Sequence, residues 1–189
     1  MTLKILHISD IHGNIEPLSS IGNVVANVDL IAVSGDIEDH RALDLLAKYG
    51  KPIFAVLGNM DPLSIRSRVR QYLIEGRVVD LGEIYLVGYP ISINEVGNIG
   101  YKSIILSHYP PYNTRVDIAW SGSHIGSREL RRIVEEAKPL AVLCGHVHEA
   151  RGVDRLGNTL IVNVGPFYEG YYAIVTVDNG KVNAELSKL

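Results

Sequence analysis

Leu140-Ala141-Val142-Leu143-Cys144-Gly145-His146-Val147-His148 is the stretch around which the rest of the chain can be organised. Its first five residues make a short apolar run, the pattern of a buried strand. Two histidines follow directly. If the chain stays extended, alternate side chains point the same way, whereas a turn after Gly145 lets the imidazoles diverge toward neighbouring points. A lone His-x-His pair is weak evidence for a metal, since two surface or hydrogen-bonded histidines look the same. Its partners elsewhere in the chain decide the matter.

Working outward, the same arrangement recurs. Leu3 to Ser9 is a short apolar run that ends in Asp10-Ile11-His12-Gly13-Asn14. His7 lies inside that strand and reads as a hydrogen-bonded core histidine. Leu30 to Val33 ends in Ser34-Gly35-Asp36, and Pro52 to Leu57 ends in Gly58-Asn59-Met60-Asp61. One carboxylate or carboxamide beside glycine is ordinary turn chemistry. Three in a βαβαβ series converge if the strands are parallel neighbours, because right-handed crossovers keep all the C-terminal ends on one edge, where ligands bind. Tyr101 to Ser107 is a further buried strand, closed by His108-Tyr109-Pro110-Pro111.

Helices are expected from Ile15 toward Ala26 with Asn14 as its cap, over Ile37 to Tyr49, from Pro62 to about Glu75 with Asp61 as N-cap, and over Arg128 to Lys138 capped by Ser127 and ended by Pro139. Val78 to Val87 reads as a strand pair around Gly82. Ala150 to Asp154 and Thr159 to Val164 flank Gly157-Asn158, and Tyr171 to Val177 and Lys181 to Leu186 flank Asp178-Asn179-Gly180, the pattern of antiparallel hairpins. Tyr168, Tyr171 and Tyr172 read as core or interface residues, with packing within the hairpins the first expectation. Asn113 to Gly126 is irregular and carries Trp120, the kind of loop that borders a binding site.

At 189 residues and 47% hydrophobic, the chain can bury a core as a single domain over residues 1–189 without disulfides. Its one cysteine, Cys144, sits in an apolar run and reads as packing, which fits a reducing compartment. No signal-peptide pattern or membrane-length run is visible, so a cytoplasmic protein is expected. The net charge is -3, with the basic residues scattered. Arg66 and Arg70, like Arg128 and Arg132, read as solvated helix faces, and neither nucleic-acid nor membrane attraction is expected.

Collected together, the strand-end donors are Asp10, His12, Asp36, Asn59, His108, His146 and His148. Oxygen and nitrogen donors without a thiolate suit a pair of divalent transition-metal ions better than a structural zinc site, and the histidines argue against calcium or magnesium. Asp36 is the choice for a bridging carboxylate, able to hold two ions about 3.5 to 4 Å apart.

Asp10-x-His12, Gly35-Asp36, Gly58-Asn59-x-Asp61, His108 and Gly145-His146-x-His148 resemble, in order, the motifs of the calcineurin-like metallophosphoesterases, across residues 10 to 148. The resemblance implies an α/β fold, two mixed sheets packed as a sandwich flanked by helices, with a dinuclear centre at the strand ends. It places Asp10, His12 and His148 on one ion, Asn59, His108 and His146 on the other, and Asp36 between them. It also implies manganese first, with iron, zinc, nickel or cobalt as alternatives. Asp61 and Asn14 are expected to support the ligands. Met60 departs from the pattern, standing where the family usually has a histidine that protonates the leaving oxygen, a task a thioether cannot perform. That departure looks like a small prokaryotic phosphodiesterase subgroup. Protonation would then fall to water, His124 or His40, with His124 slightly favoured because its loop reads as flexible enough to reach the site.

The expected activity is hydrolysis of a phosphate ester, preferably a diester and conceivably a nucleotide, by a metal-bridging hydroxide. A monoesterase, a nuclease, or a non-catalytic scaffold such as the retromer subunit that resembles these enzymes are the rival readings. The full donor set favours an enzyme, the charge distribution disfavours a nuclease, and the sequence leaves room for an oligomer.

Overall fold

The strand Leu3–Ile8 (β1) sends Ile5 to one side and Leu6 and Ile8 to the other, and each set enters a different hydrophobic cluster. That alternation sets the layering. This is a computed structural model that describes residues 2–189. After β1 come α1 (Gly22–Val25), β2 (Leu30–Ser34), α2 (Arg41–Ala47), β3 (Ile53–Val56), α3 (Ile65–Val69), β4 (Val78–Asp80), β5 (Tyr85–Gly88) and α4 (Ile93–Val96). Then follow β6 (Ser103–Leu106), α5 (Arg128–Ala137), β7 (Ala141–Cys144), β8 (Gly152–Leu156), β9 (Thr159–Asn163), β10 (Tyr171–Asp178) and β11 (Lys181–Lys188).

Two mixed sheets result. The first has the order β11-β10-β1-β2-β3, with β1, β2 and β3 parallel and β10 antiparallel to β1. The second has the order β4-β5-β6-β7-β9-β8, parallel from β5 through β9 and antiparallel at both edges. Ile5, Ala32, Val56, Leu86, Ile104, Leu106, Leu143 and Val162 fill the space between the sheets. On the outer face of the first, Leu6, Ile8, Ile31 and Val33 meet Leu43 and Leu46 of α2. On the outer face of the second, Ile105, Val142, Cys144 and Ile161 meet Leu130, Ile133 and Val134 of α5. The expected αββα sandwich is therefore the fold. Cys144 is packing, as its sequence position implied.

Parallel β1, β2 and β3 put their C-terminal ends on one edge, and parallel β6 and β7 do the same in the facing sheet. The hairpins β8–β9 and β10–β11 form as expected but in different sheets, and β9 also runs parallel to β7. The helices are shorter than the apolar periodicity predicts. Ile15 to Ala26 divides into a single 3-10 turn, Glu16–Ser19, and α1, across serines and Gly22 that form helix poorly. The helix expected from Ile37 starts only at Arg41, since Ile37 and Glu38 donate their amides to Asp61 and Glu38 takes a left-handed φ of 59°. The helix expected to reach Glu75 ends at Val69, because Tyr72 and Ile74 bond to both backbone groups of Ala55 and extend the edge of β3. Ser127 caps α5 as expected, its Oγ accepting from the Leu130 amide at 3.1 Å.

His7 is fully buried, its Nε2 2.8 Å from Ser34 Oγ, while its Nδ1 has no partner. Burial pushes its pKa from 6.5 down to about 3. Between those values the unfolded chain binds a proton that the folded one refuses, so stability present above pH 6.5 is lost as pH falls toward 3, by at most about 5 kcal/mol. Chemical denaturation of the metal-free protein across this range should show a shallower acid slope for His7→Met than for the unmodified chain; equal slopes would refute the assignment.

Candidate metal centre

The loop after β1 lies against the loop after β2. The Asp10 amide donates to Gly35 O at 3.0 Å, His12 to Asp36 O at 2.9 Å and Gly13 to Ile37 O at 3.1 Å. This lacing continues the parallel ladder beyond the strands and turns the chain sharply. Asp10 (φ 55°), His12 (φ 49°), Asp36 (φ 51°) and His146 (φ 68°) all adopt left-handed backbone, a conformation that costs a side-chain-bearing residue on the order of 1–3 kcal/mol. Four prospective ligands share that strain. Close approach also fixes two glycines. A side-chain carbon at Gly58 would occupy the space of Asp36 Oδ1, and one at Gly145 the space of Ser9 Oγ and Asp10 Oδ2.

The seven expected donors converge as two linked groups. Asp10, His12 and His148 form one, with His148 Nε2 3.1 Å from Asp10 Oδ1 and His12 Nε2 3.9 Å from the same oxygen. Asp36 and His108 lie beside Asp10 in the second, with His108 Nε2 3.4 Å from Asp36 Oδ2. Asn59 Oδ1 stands 2.9 Å and His146 Nδ1 3.2 Å from that same His108 nitrogen. His146 joins through His108 and through its amide, which donates to Asp10 Oδ2 at 3.1 Å. Asp36 Oδ2 also lies 3.9 Å from His12 Nε2, so one oxygen faces a nitrogen of each group.

The arrangement fits cations better than it fits hydrogen bonding. Ser34 O accepts from His108 Nδ1 at 2.9 Å, which leaves the Nε2 lone pair of the neutral ring facing Asp36, Asn59 and His146. Several lone pairs then meet in one place. His12 Nε2 is buried with no hydrogen-bond partner, while its Nδ1 donates to Glu38 Oε1 at 2.6 Å. A carboxylate behind a histidine fixes the ring and aims the other nitrogen, as it does behind metal-bound imidazoles.

Without an ion, protons answer the same demand for positive charge. Burial opposes ionisation of Asp36, but the hydrogen bond and charge of His108 outweigh it and hold the carboxyl below its usual range. Burial likewise opposes a proton on His108, yet the Asp36 and Asp10 carboxylates win and raise it. The Asp10 hydrogen bond raises His148. Burial, reinforced by His108, pulls His146 down to about 4.

Asp61 is placed otherwise than as a helix cap. Its Oδ1 accepts from the Ile37 and Glu38 amides at 2.8 and 2.7 Å and its Oδ2 from Gly58 at 2.8 Å, so it ties the Asp36 loop to the Asn59 loop. Asn14 accepts from the Glu16 amide at 3.2 Å and reaches Tyr168 O at 3.4 Å. His124 is not on a free loop: its Nδ1 donates to buried Asp117 at 2.6 Å. His40 pairs only loosely with Asp39, at 3.8 Å. Neither belongs to the donor groups. Met60 is 56% exposed, and its amide donates to Asp36 Oδ1 at 2.8 Å.

Glu38 and Tyr168 escaped the sequence reading. Glu38 follows Asp36 by two residues and reads as a helix start, so nothing local ties it to His12. Tyr168, expected to pack within a hairpin, instead sets its hydroxyl 3.4 Å from His148 Nδ1 and its ring edge-on to His12. Tyr172 does pack against the core, and Tyr171 lies under the Arg151 guanidinium at 4.4 Å.

A two-sheet sandwich with histidines and carboxylates gathered at facing strand ends defines a class of metal-dependent phosphoesterases. The chain belongs to the calcineurin-like phosphoesterase superfamily, whose domain model matches residues 3–180. It is similar to the uncharacterised protein MJ1162 of Methanocaldococcus jannaschii, 29% identical over an alignment 210 positions long, gaps included, that covers 94% of each chain. TT1561 of Thermus thermophilus shares the fold at a TM-score of 0.72 and 16% identity, over 98% of this chain and 99% of that one. A novel archaeal phosphodiesterase does so at 0.68 and 16%, over 99% and 100%.

Glu38 provides a local test. Glu38→Gln should weaken divalent-ion binding by about 10- to 100-fold in a calorimetric titration, with the melting point of the metal-free protein nearly unchanged. Affinity within twofold of the unmodified chain would show that His12 does not depend on this support.

Proposed function

We propose that the chain hydrolyses phosphodiesters with two divalent transition-metal ions, manganese foremost and iron, zinc, nickel or cobalt as alternatives. The observation that carries this reading is the buried, unpartnered His12 Nε2 facing Asp10 and Asp36, with His108 Nε2 near the same Asp36 oxygen. Asp10, His12 and His148 would hold one ion, and Asn59, His108 and His146 the other, with Asp36 shared. When bound, such a pair supplies Lewis acidity toward the phosphoryl oxygens and lowers the pKa of water to about 7.

The chain's own residues do the rest. Glu38 and Ser34 fix the rings of His12 and His108, and Asp61 locks the two loops together. Substrate would enter through an open cavity of about 400 Å³ bounded by His12, Asn14, His148 and Tyr168. Met60 contributes its amide to Asp36 and no proton to a leaving group. Without a proton from Met60, and with His124 held by Asp117, diesters of acidic alcohols should react faster than diesters of poor leaving groups. A small phosphate-ester substrate in the cytoplasm fits this reading.

Metal-stripped protein supplied in turn with manganese, iron, zinc, nickel and cobalt should bind close to two equivalents by elemental analysis. It should then turn over an aryl phosphodiester faster than the matched monoester. Trace binding, or a loaded protein without turnover of either ester, would overturn the proposal. Separately, Met60→His should raise the rate on alkyl diesters by about 100-fold, the lower end of general-acid effects, while changing aryl diesters much less. An equal change on both would remove leaving-group protonation from the account.

A further inference from the structure

His148 and Tyr168 belong to a second cavity, of about 460 Å³, whose other walls are Trp120, Glu149, Arg151 and Tyr171, with Pro166 and Glu169 completing it. It opens from the same histidine that faces Asp10, so a molecule held at the donor cluster can extend into it. Trp120 is 89% exposed, the most costly side chain to leave in water, on a loop that is otherwise tightly organised. Asp117, fully buried, accepts from the amides of Asn113, Thr114 and Gly126 and from His124. Ile118 pairs with His124, Ala119 bonds to Ser123 O, and the Trp120 amide donates to Glu149 Oε1 at 2.6 Å. The backbone therefore presents the indole at the cavity's rim without letting the loop collapse onto it.

The charges narrow what can enter. Glu149 and Glu169 repel a second phosphate. The two cations nearby are turned to other partners: Arg151 Nε and Nη2 donate to Val164 O and Ser187 O, each at 3.1 Å, and its guanidinium and the Lys188 ammonium each lie 4.4 Å from the Tyr171 ring, so neither is a free phosphate clamp. A flat, uncharged group suits the exposed Trp120 indole beside the Tyr168 phenol, and carboxylates accept from ring N–H and exocyclic amines. We propose that this cavity takes the nucleoside of a phosphodiester, its base stacked on Trp120 and its phosphate at the metal ligands. The substrates would then be small nucleotide diesters carrying one phosphate. This rests on the phosphodiesterase reading above.

Trp120 is the chain's only tryptophan, so its fluorescence reports occupancy without turnover. Zinc-loaded protein titrated with adenosine 5′-monophosphate should show saturable quenching, whereas ribose 5-phosphate should bind without it. Trp120→Ala should raise KM for the p-nitrophenyl diester of thymidine 5′-monophosphate about tenfold more than KM for methyl p-nitrophenyl phosphate, which has the same leaving group and no base, and Trp120→Phe should restore most of the loss. Circular dichroism of each variant checks the fold. If the nucleotide gives no quenching while both phosphates inhibit equally, or if Trp120→Ala shifts both KM values alike, the cavity is not a base subsite. Failure of the phosphodiesterase reading looks different: no diester is turned over with any metal, while the fluorescence titration still answers for the cavity.

Discussion

Two carboxylates are buried side by side where the sheets meet: Asp10 is fully inaccessible and Asp36 is 2% exposed. Removing such charges from water costs several kcal/mol each unless positive charge and hydrogen bonds replace the solvent. Among the described residues, the ion pairs recorded for Asp10 and Asp36 involve only histidines, His12, His108 and His148. A histidine compensates only while it carries a proton, and that proton occupies the nitrogen a ligand would use. Burial and the raised affinity of His108 and His148 for protons are thus two sides of one demand for cations at this point. Protons meet it weakly and divalent ions would meet it directly, with bound metal and bound protons competing for the same nitrogens.

That demand shapes the backbone around it. Ligands from separate strand ends can meet only if the connecting turns are tight, and the turns are tight because Asp10, His12, Asp36 and His146 accept left-handed φ. Together these cost several kcal/mol, about what burying a few aliphatic side chains returns. The three hydrophobic clusters hold many more fully buried Ile, Leu and Val residues than that. The sandwich therefore holds the strain without difficulty, and Asp61 adds a polar strut where the clusters stop.

The strands were legible because β1, β2, β3, β6 and β7 are short apolar runs with glycine or a polar residue at their ends, and a parallel arrangement makes those ends coincide. The donor residues followed from the same logic, since each stands within a few positions of a strand terminus. What failed was local propensity against tertiary pairing. The stretch from Pro62 to Glu75 reads as helix, yet its last part gains more from bonding Ala55 at the open edge of β3 than from another helical turn. Glu38 and Tyr168 were invisible for a related reason: each acts on a ring far away in the chain, at a separation no periodicity encodes. Tyr168 in particular sits among tyrosines that pack, and only the folded arrangement separates it from them.

The loop from Asn113 to Gly126 shows why a histidine near a site need not serve the chemistry. Asp117 at its centre is fully buried and needs donors on every side. Three are backbone amides, a fourth is His124 Nδ1 at 2.6 Å, and the Thr114 hydroxyl adds a longer contact at 3.4 Å. Swinging His124 toward a leaving group would break that bond and leave a buried carboxylate short of a partner, at a cost on the order of 1–3 kcal/mol or more for a charged group. The ring also packs against Tyr112, itself covered by Arg128 at 3.9 Å. His124 is therefore committed to holding the loop, and the loop's rigidity is what keeps Trp120 at the cavity's rim. With Met60 unable to donate and His124 engaged, neither would protonate a leaving group in the proposed phosphodiesterase reaction, and esters of more acidic alcohols would react faster.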